Sequence, residues 1–256
     1  MRGMTELPVT KDAHRQHAIT HALVLQKFSD DSAIVGLIRG DDDAEYRGLT
    51  GNFVEWCQRN HLLINAGKTK EMVVDFRRRR SALPSPVNIQ GTDIEQVDSY
   101  KYLGVHLNTK LDWTHHTNAL YRKGQSRLYL LRRLRSFGVK GALLKTFYDS
   151  VVASAILYGV VCWNSGITER DRKKLDKIIR KSSSVLGCPL DSVGEVGDRR
   201  VLAKLSSMLD NESHPLHGDL TGLRSSFSDR LLHPRCVKER YRRSFLPAAV
   251  RLHNKQ

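Results

Sequence analysis

Two adjacent carboxylates, Asp30 and Asp31, lie inside Phe28-Ser29-Asp30-Asp31-Ser32, between the apolar runs Ala22 to Leu25 and Ala33 to Ile38. Aliphatic and β-branched flanks around a polar centre spell a β-hairpin, here with both acids at its tip. Like charges side by side repel, so an Asp pair points to a cation held between them. Such a pair can hold the Mg2+ ions that clamp an in-line phosphoryl transfer. The alternative is a solvated Asp-rich turn. Gly67-Lys68-Thr69 has the ending of a phosphate-cradling loop, but that loop needs a glycine five positions before Gly67, where Leu62 stands. His217-Gly218-Asp219 has the H-x-D form of an iron facial triad, with His233 or His253 as a third ligand. No strand series surrounds it, and Pro215 and Gly218 interrupt it, which argues against that chemistry.

The elements that must position these groups differ along the chain. The 256 residues, 40% of them hydrophobic, are enough for one or two modest cores. Up to about residue 108 the pattern is mixed: the hairpin, a helix ending near Trp56, and a strand over Met72 to Phe76. From Leu111 it becomes helical. Leu120, Leu128, Leu131, Leu134 and Phe137 recur at helical spacing, and Arg122, Lys123, Arg127, Arg132, Arg133 and Arg135 fill much of the rest. No acidic residue interrupts Leu120 to Phe137, so one face can pack while the other meets phosphate. Gly138 and Gly141 bracket a break, and Leu144, Phe147, Tyr148, Val151, Val152 and Ala155 start the next helix. Thr168 offers an N-cap, and Gly187 followed by Pro189 a stop, for a helix with Lys173, Lys174, Lys177, Arg180 and Lys181 outward. Asp191 to Leu223 reads as a looser stretch with a helix over Arg199 to Leu209. The tail carries Arg224, Arg230, Arg235, Lys238, Arg240, Arg242, Arg243 and Arg251 among Phe227, Tyr241 and Phe245, a mixture suited to phosphates and unpaired bases or else a disordered basic end.

The formal net charge is +15 and the pI about 9.9, which favours an acidic polymer as partner. Cys57, Cys162, Cys188 and Cys236 are far apart, so reduced intracellular thiols fit better than a disulfide framework or a zinc site. Met1 to Thr20 has no apolar core of signal-peptide length. Ser150 to Trp163 is apolar but short for a bilayer and reads as a buried helix, so no membrane partner is expected. Arg77 to Arg80 is a charge run that either touches a nucleic-acid backbone or mimics a nuclear-import signal, leaving nucleus and cytoplasm both open.

The ordered set of hairpin, Phe53-Val54-Glu55-Trp56-Cys57, Asn65-Ala66-Gly67-Lys68-Thr69 and Tyr100-Lys101-Tyr102-Leu103-Gly104 resembles the later palm motifs of LINE-type, non-LTR retrotransposon reverse transcriptases. The resemblance runs over residues 21–165 and more weakly to the C-terminus. It implies an α+β fold: a partial palm over 21–108, a helical thumb over 109–187, and a basic region over 188–256, after an unrelated polar leader, 1–20. It also implies roles. Asp30 and Asp31 match the catalytic metal-binding carboxylates. Lys68 matches the lysine near the nucleotide phosphates, where a cation can stabilise or protonate the leaving group; an ordinary exposed turn lysine is the alternative. Phe28 and Tyr102-Leu103-Gly104 match positions near the primer, with Gly104 permitting the turn; a hydrophobic strand end is the alternative for Leu103. The basic helix, with Arg122, Lys123, Arg127, Arg132, Arg133 and Arg135, matches the part that holds the RNA or RNA/DNA duplex. No small-molecule cofactor is implied, and oligomeric state stays open.

A two-metal site needs a further carboxylate from an earlier strand, and before Asp30 only Glu6 and Asp12 occur. The expectation is therefore a truncated polymerase that is inactive alone, uses Mg2+ only if complemented, and retains nucleic-acid binding. A non-catalytic RNA- or DNA-binding module is the runner-up. Trp113–Trp163 also resembles a segment attributed to the N-terminal part of AlkB-type nucleic-acid repair and tRNA-modifying proteins, although no oxygenase core or methyltransferase glycine loop accompanies it. Unpaired strand edges make aggregation a further expectation.

Overall fold

The computed structural model describes residues 23–38, 40, 42–75, 77 and 83–256; the expectations for the leader and for Arg78–Arg80 lie outside the described residues. The chain divides into two compact units, the first within Met1–Glu71 and Arg79–Gln96, the second within Met72–Arg78 and Val97–Gln256.

In the first unit, β1 (Leu23–Phe28) and β2 (Asp31–Gly36) pair antiparallel, with Phe28 opposite Asp31. The loop is thus shorter than Phe28 to Ser32: Ser29 and Asp30 alone make the turn, and Asp31 begins a strand. Ser29 takes φ +56°, the positive value that two-residue hairpin turns need at their first central position and that glycine usually supplies. The hairpin leans on α1 (Ala44–Arg59) through Lys27, whose ammonium lies 3.5 Å from the Trp56 ring centroid. Its outer apolar side chains Val24, Val35 and Leu37 stay more than half exposed.

The expected strand over Met72 to Phe76 shrinks to β3 (Lys70–Glu71), with 72–75 irregular and Phe76 outside the described residues. β3 pairs parallel with β6 (Glu95–Gln96), and β4 (Asn88–Ile89) antiparallel with β5 (Thr92–Asp93). Val87, Ile89 and Ile94 form a small core under Tyr46 and Val54. Glu71 is buried beside it and accepts from the Gln96 amide (2.9 Å) and the Val87 N–H (3.3 Å). Burial and the neighbouring Glu71 charge push the Tyr46 hydroxyl up to about 12.

The main part of the second unit, Val97–Gln256, begins with the hairpin β7 (Ser99–Tyr102) and β8 (Val105–Asn108). Leu103 and Gly104 turn it with φ +44° and +83°, the double positive φ of a type I′ turn. Leu103 is a turn residue, not the end of a strand. Tyr158 then clamps the turn: its hydroxyl donates to the Leu103 carbonyl at 2.7 Å, and a Cβ on Gly104 would stand 3.0 Å from its ring.

Helices follow: α2 (Thr114–Ser136), α3 (Gly141–Phe147), a π-helical turn (Tyr148–Ala153), α4 (Ser154–Ile156), α5 (Val160–Trp163) and α6 (Glu169–Leu186). Their inward stripes, among them Leu120, Leu131, Leu144, Val152, Ile156, Trp163, Leu175 and Ile178, make one core. The apolar stretch is longer than Ser150 to Trp163. Gly141–Trp163, 23 residues, is long and apolar enough to cross a bilayer by length and composition, and its inward side chains belong to this core. It breaks at Gly159, φ +60°, where the freed carbonyls find donors: Trp163 Nε1 meets Tyr158 O at 2.9 Å and Arg200 meets Leu157 O at 3.1 Å.

Thr168 caps α6 by accepting the Asp171 N–H, and Gly187 ends it at φ +74°. The looser stretch is more ordered than composition suggests. α7 runs Val193–Leu209, six residues earlier than expected, because Ser192 and Glu195 form a reciprocal capping box. With α8 (His217–Thr221), α10 (Phe245–His253) and Leu231 from the segment between them, α7 builds a second core of Val201, Leu205, Met208, Leu220, Leu231, Ala249 and Val250, while the short α9 (Glu239–Arg242) contributes no buried side chain to it. The tail is therefore not a disordered basic end. Asn254 straps it by exchanging hydrogen bonds with both backbone groups of Leu231, at 2.8 and 2.9 Å.

Candidate nucleic-acid interface

The expected catalytic residues sit on surface turns of the first unit. Asp30 occupies the hairpin turn and Asp31 the first position of β2, both exposed. Among the described residues neither side chain makes a hydrogen bond or ion pair. Phe28 is 63% exposed at the end of β1. Lys68 is exposed in a turn whose shape Asn65 fixes: its side chain accepts the Lys68 N–H at 3.0 Å, and its carbonyl takes the Thr69 hydroxyl at 2.9 Å. That explains Asn65 and Thr69 locally, and leaves the Lys68 ammonium free to reach outward. No hydrogen bond joins Lys68 to Asp30 or Asp31 among the described residues.

The site supports a cation only in part. Two exposed carboxylates offer hard oxygen donors of the kind Mg2+ takes together with substrate phosphates. Among the described residues, however, no group of three or more His, Cys, Asp or Glu side chains is placed to hold a metal ion. A two-ion phosphoryl-transfer site needs more donors than this pair, so no catalytic step is derived through it.

In the second unit the basic residues fall on the outer side of α2. Arg122, Lys123, Arg132, Arg133 and Arg135 are exposed; Arg122 and Arg133 stand opposite the buried Leu120, Gly124, Leu128 and Leu131, and the other three flank that stripe. Arg127 is different. It is half-buried, and its guanidinium donates to the Val151 carbonyl at 3.0 Å, in the π-helical turn where the regular helical acceptor pattern is interrupted. This hydrogen bond makes Arg127 a strut between α2 and that turn, a role distinct from the nucleic-acid contact expected of it. Replacing Arg127 by alanine should lower the melting temperature, by about 1–3 kcal/mol of stability for an orphaned carbonyl, and leave the salt dependence of nucleic-acid binding unchanged.

Tyr102 lies half-buried with its hydroxyl unpartnered among the described residues, and the Leu103–Gly104 turn is held by Tyr158. Phe245, expected among the stacking aromatics, packs against the second core instead, whereas Phe227 is 96% exposed.

Several residues that matter were not singled out by spacing. His116 is 1% exposed between the Trp113 and Trp163 rings, and its Nδ1 accepts the His106 N–H at 3.3 Å. Burial, with His106, Lys123 and His115 adding positive potential, lowers it from the usual 6.5 to about 4. The folded state therefore binds fewer protons than the unfolded chain. Stability is complete above about 6.5 and falls as pH drops through 6.5 towards 4. The expected loss is on the order of 3 kcal/mol at the acid end. Thermal melts from pH 7 to pH 4 should show it, and His116→Phe should flatten that part of the profile.

Asn164 is the other hidden centre. It is 2% exposed and ties three helices: its amide donates to Asp198 (3.0 Å) on α7, while Arg172 on α6 donates to its side-chain oxygen and to its carbonyl, both at 2.7 Å. Asn164 itself follows α5 directly. Only tertiary packing brings these residues together.

Comparison with known proteins gives the chain its relatives. It is 25% identical over 81% of its length to the probable RNA-directed DNA polymerase from transposon BS of Drosophila melanogaster, covering 22% of that protein. It is 28% identical over 80% of its length to the RNA-directed DNA polymerase from mobile element jockey of Drosophila funebris, covering 24% of it. It is 26% identical over 55% of its length to the probable RNA-directed DNA polymerase from transposon X-element of Drosophila melanogaster, covering 16% of it. The chain is thus a distant relative of non-LTR retrotransposon RNA-directed DNA polymerases, and spans about a quarter or less of the length of these three. A family model described as the N-terminal part of alkylated DNA repair protein alkB homolog 8 matches residues 113–154. No solved structure matches the chain.

Proposed function

We propose that these residues are the nucleic-acid-holding part of a non-LTR retrotransposon RNA-directed DNA polymerase: a partial palm ending in the Leu103–Gly104 hairpin, then a helical thumb and a basic C-terminal region. The observation that carries this reading is the kinship with transposon polymerases along about 80% of the chain. The partner is RNA or an RNA/DNA duplex, met by the exposed cations of α2. Asp30 and Asp31 are the proposed Mg2+ ligands, and a further carboxylate from elsewhere would have to complete them. The 256 residues on their own therefore hold nucleic acid without extending a primer.

The segment shared with the alkB homolog 8 family model covers α2, α3 and the π-helical turn, whose buried residues are core. It is a packing unit, and no demethylation chemistry is proposed for it.

The test is primer extension on a primed RNA template with Mg2+ and deoxynucleotides, using the wild-type chain and Asp30→Ala/Asp31→Ala. The expected result is no extension by either, with binding equal or slightly tighter in the variant because negative charge is removed. Extension by the wild type that vanishes in the variant overturns the non-catalytic reading and places a complete metal site in this chain.

A further inference from the structure

The outward line of α2 is not uniformly cationic. Arg122, Tyr129, Arg133 and Phe137 recur at spacings of seven, four and four residues, so they stand along one line on the side opposite the buried Leu120, Leu128 and Leu131. Tyr129 is 61% exposed and Phe137 71% exposed. Neither ring belongs to an apolar core, although both are large enough to be valuable there. Phe137 is held in place rather than loose. As the residue that ends α2, its N–H bonds the Arg133 carbonyl at 3.1 Å, and the Arg133 guanidinium lies 4.9 Å from its ring centroid. Within α2 there is no Asp or Glu to repel a polyanion.

We propose that this line holds an unpaired nucleic-acid strand, with bases stacked on Tyr129 and Phe137 and phosphates met by Arg122 and Arg133; the inference rests on the reading that α2 binds nucleic acid. A duplex keeps its base faces covered by their own neighbours, so it can use the arginines but not the rings. An unpaired strand can use both. The two rings are eight residues apart, about 12 Å along the helix axis, so they engage different nucleotides. Arg133, already lying over Phe137, extends that ring into a two-layer platform of the kind on which bases stack regardless of sequence.

The experiment measures binding of a uridine-rich RNA strand and of a blunt RNA duplex of equal length, by the full chain and by Tyr129→Ala/Phe137→Ala, across a salt series. The variant should lose about 10- to 100-fold on the strand, less than about 2-fold on the duplex, and keep its salt slope, because stacking carries no charge. Tyr129→Phe should bind the strand as the wild type does, since the ring rather than the hydroxyl stacks. Both side chains are exposed, so the melting temperature should not move. Equal losses on strand and duplex, or no loss on the strand, overturn the stacking line. A variant that turns a dimer into a monomer also overturns it, by assigning the rings to a second copy. If the wild type binds the duplex but not the strand, stacking fails while the nucleic-acid reading stands. If it binds neither, that underlying reading fails.

Discussion

A chain in which Arg122, Arg132, Arg133 and Arg135 are all replaced by alanine is expected to lose on the order of 100-fold or more in affinity for an RNA/DNA duplex at low salt. These four side chains project from the exposed side of α2, and the helix offers no carboxylate for them to pair with. Each phosphate neutralised by a cation releases counterions, so the slope of log affinity against log salt should become shallower by about 1 per arginine removed. The slope is the discriminating quantity. A folding defect lowers the bound fraction at every salt concentration, whereas loss of phosphate contacts flattens the dependence itself. The buried stripe of α2 is untouched by the substitutions, and alanine is the best helix former, so melting should change by little. Arg127→Ala supplies the opposite pattern: stability lost, slope kept.

Gly197→Ala is expected to destabilise the helical unit by about 1–3 kcal/mol, the cost of leaving buried hydrogen-bonding groups without their partner. Helix propensity alone argues for the other sign, since alanine in a helix interior gains about 1 kcal/mol over glycine. Packing decides. A Cβ at position 197 would stand 2.3 Å from the Asn164 side-chain amide, which is fixed by Asp198 and Arg172. To admit a methyl group, the buried Asn164 must leave, and the half-buried Arg172 and Asp198 then lose a partner. Denaturant unfolding of the variant gives the sign directly. An Asn164→Ala background should remove most of the penalty, because the obstructing amide is gone.

What could be read from the sequence was local. Thr168 and Gly187 delimit α6 as their chemistry requires, Gly104 turns its hairpin, and Gly138 and Gly141 separate α2 from α3. The start of α7 was equally local, written in Ser192-Val193-Gly194-Glu195, but two glycines in its first turns weaken the helical pattern and draw the eye to Arg199. The Asp pair was legible as a hairpin tip; its exact turn was not, because Ser29 adopts a positive φ that no residue preference announces. Arg127 looks like any of its neighbours in sequence. It differs only because the π-helical turn presents the Val151 carbonyl to it. Phe245 and Phe227 both read as aromatics in a basic tail, yet one packs and the other is bare. His116 and Asn164 draw their importance from rings and helices distant in sequence, which periodicity does not report.

Whether this chain holds nucleic acid through α2 is tested most directly by equilibrium binding of a primed RNA template by the wild-type chain from about 50 to 200 mM salt, the range over which phosphate contacts reveal themselves. The expected log–log slope is about −3 or steeper, as several arginine–phosphate contacts require. Binding whose strength does not change across that range, or no binding at its lower end, would contradict it.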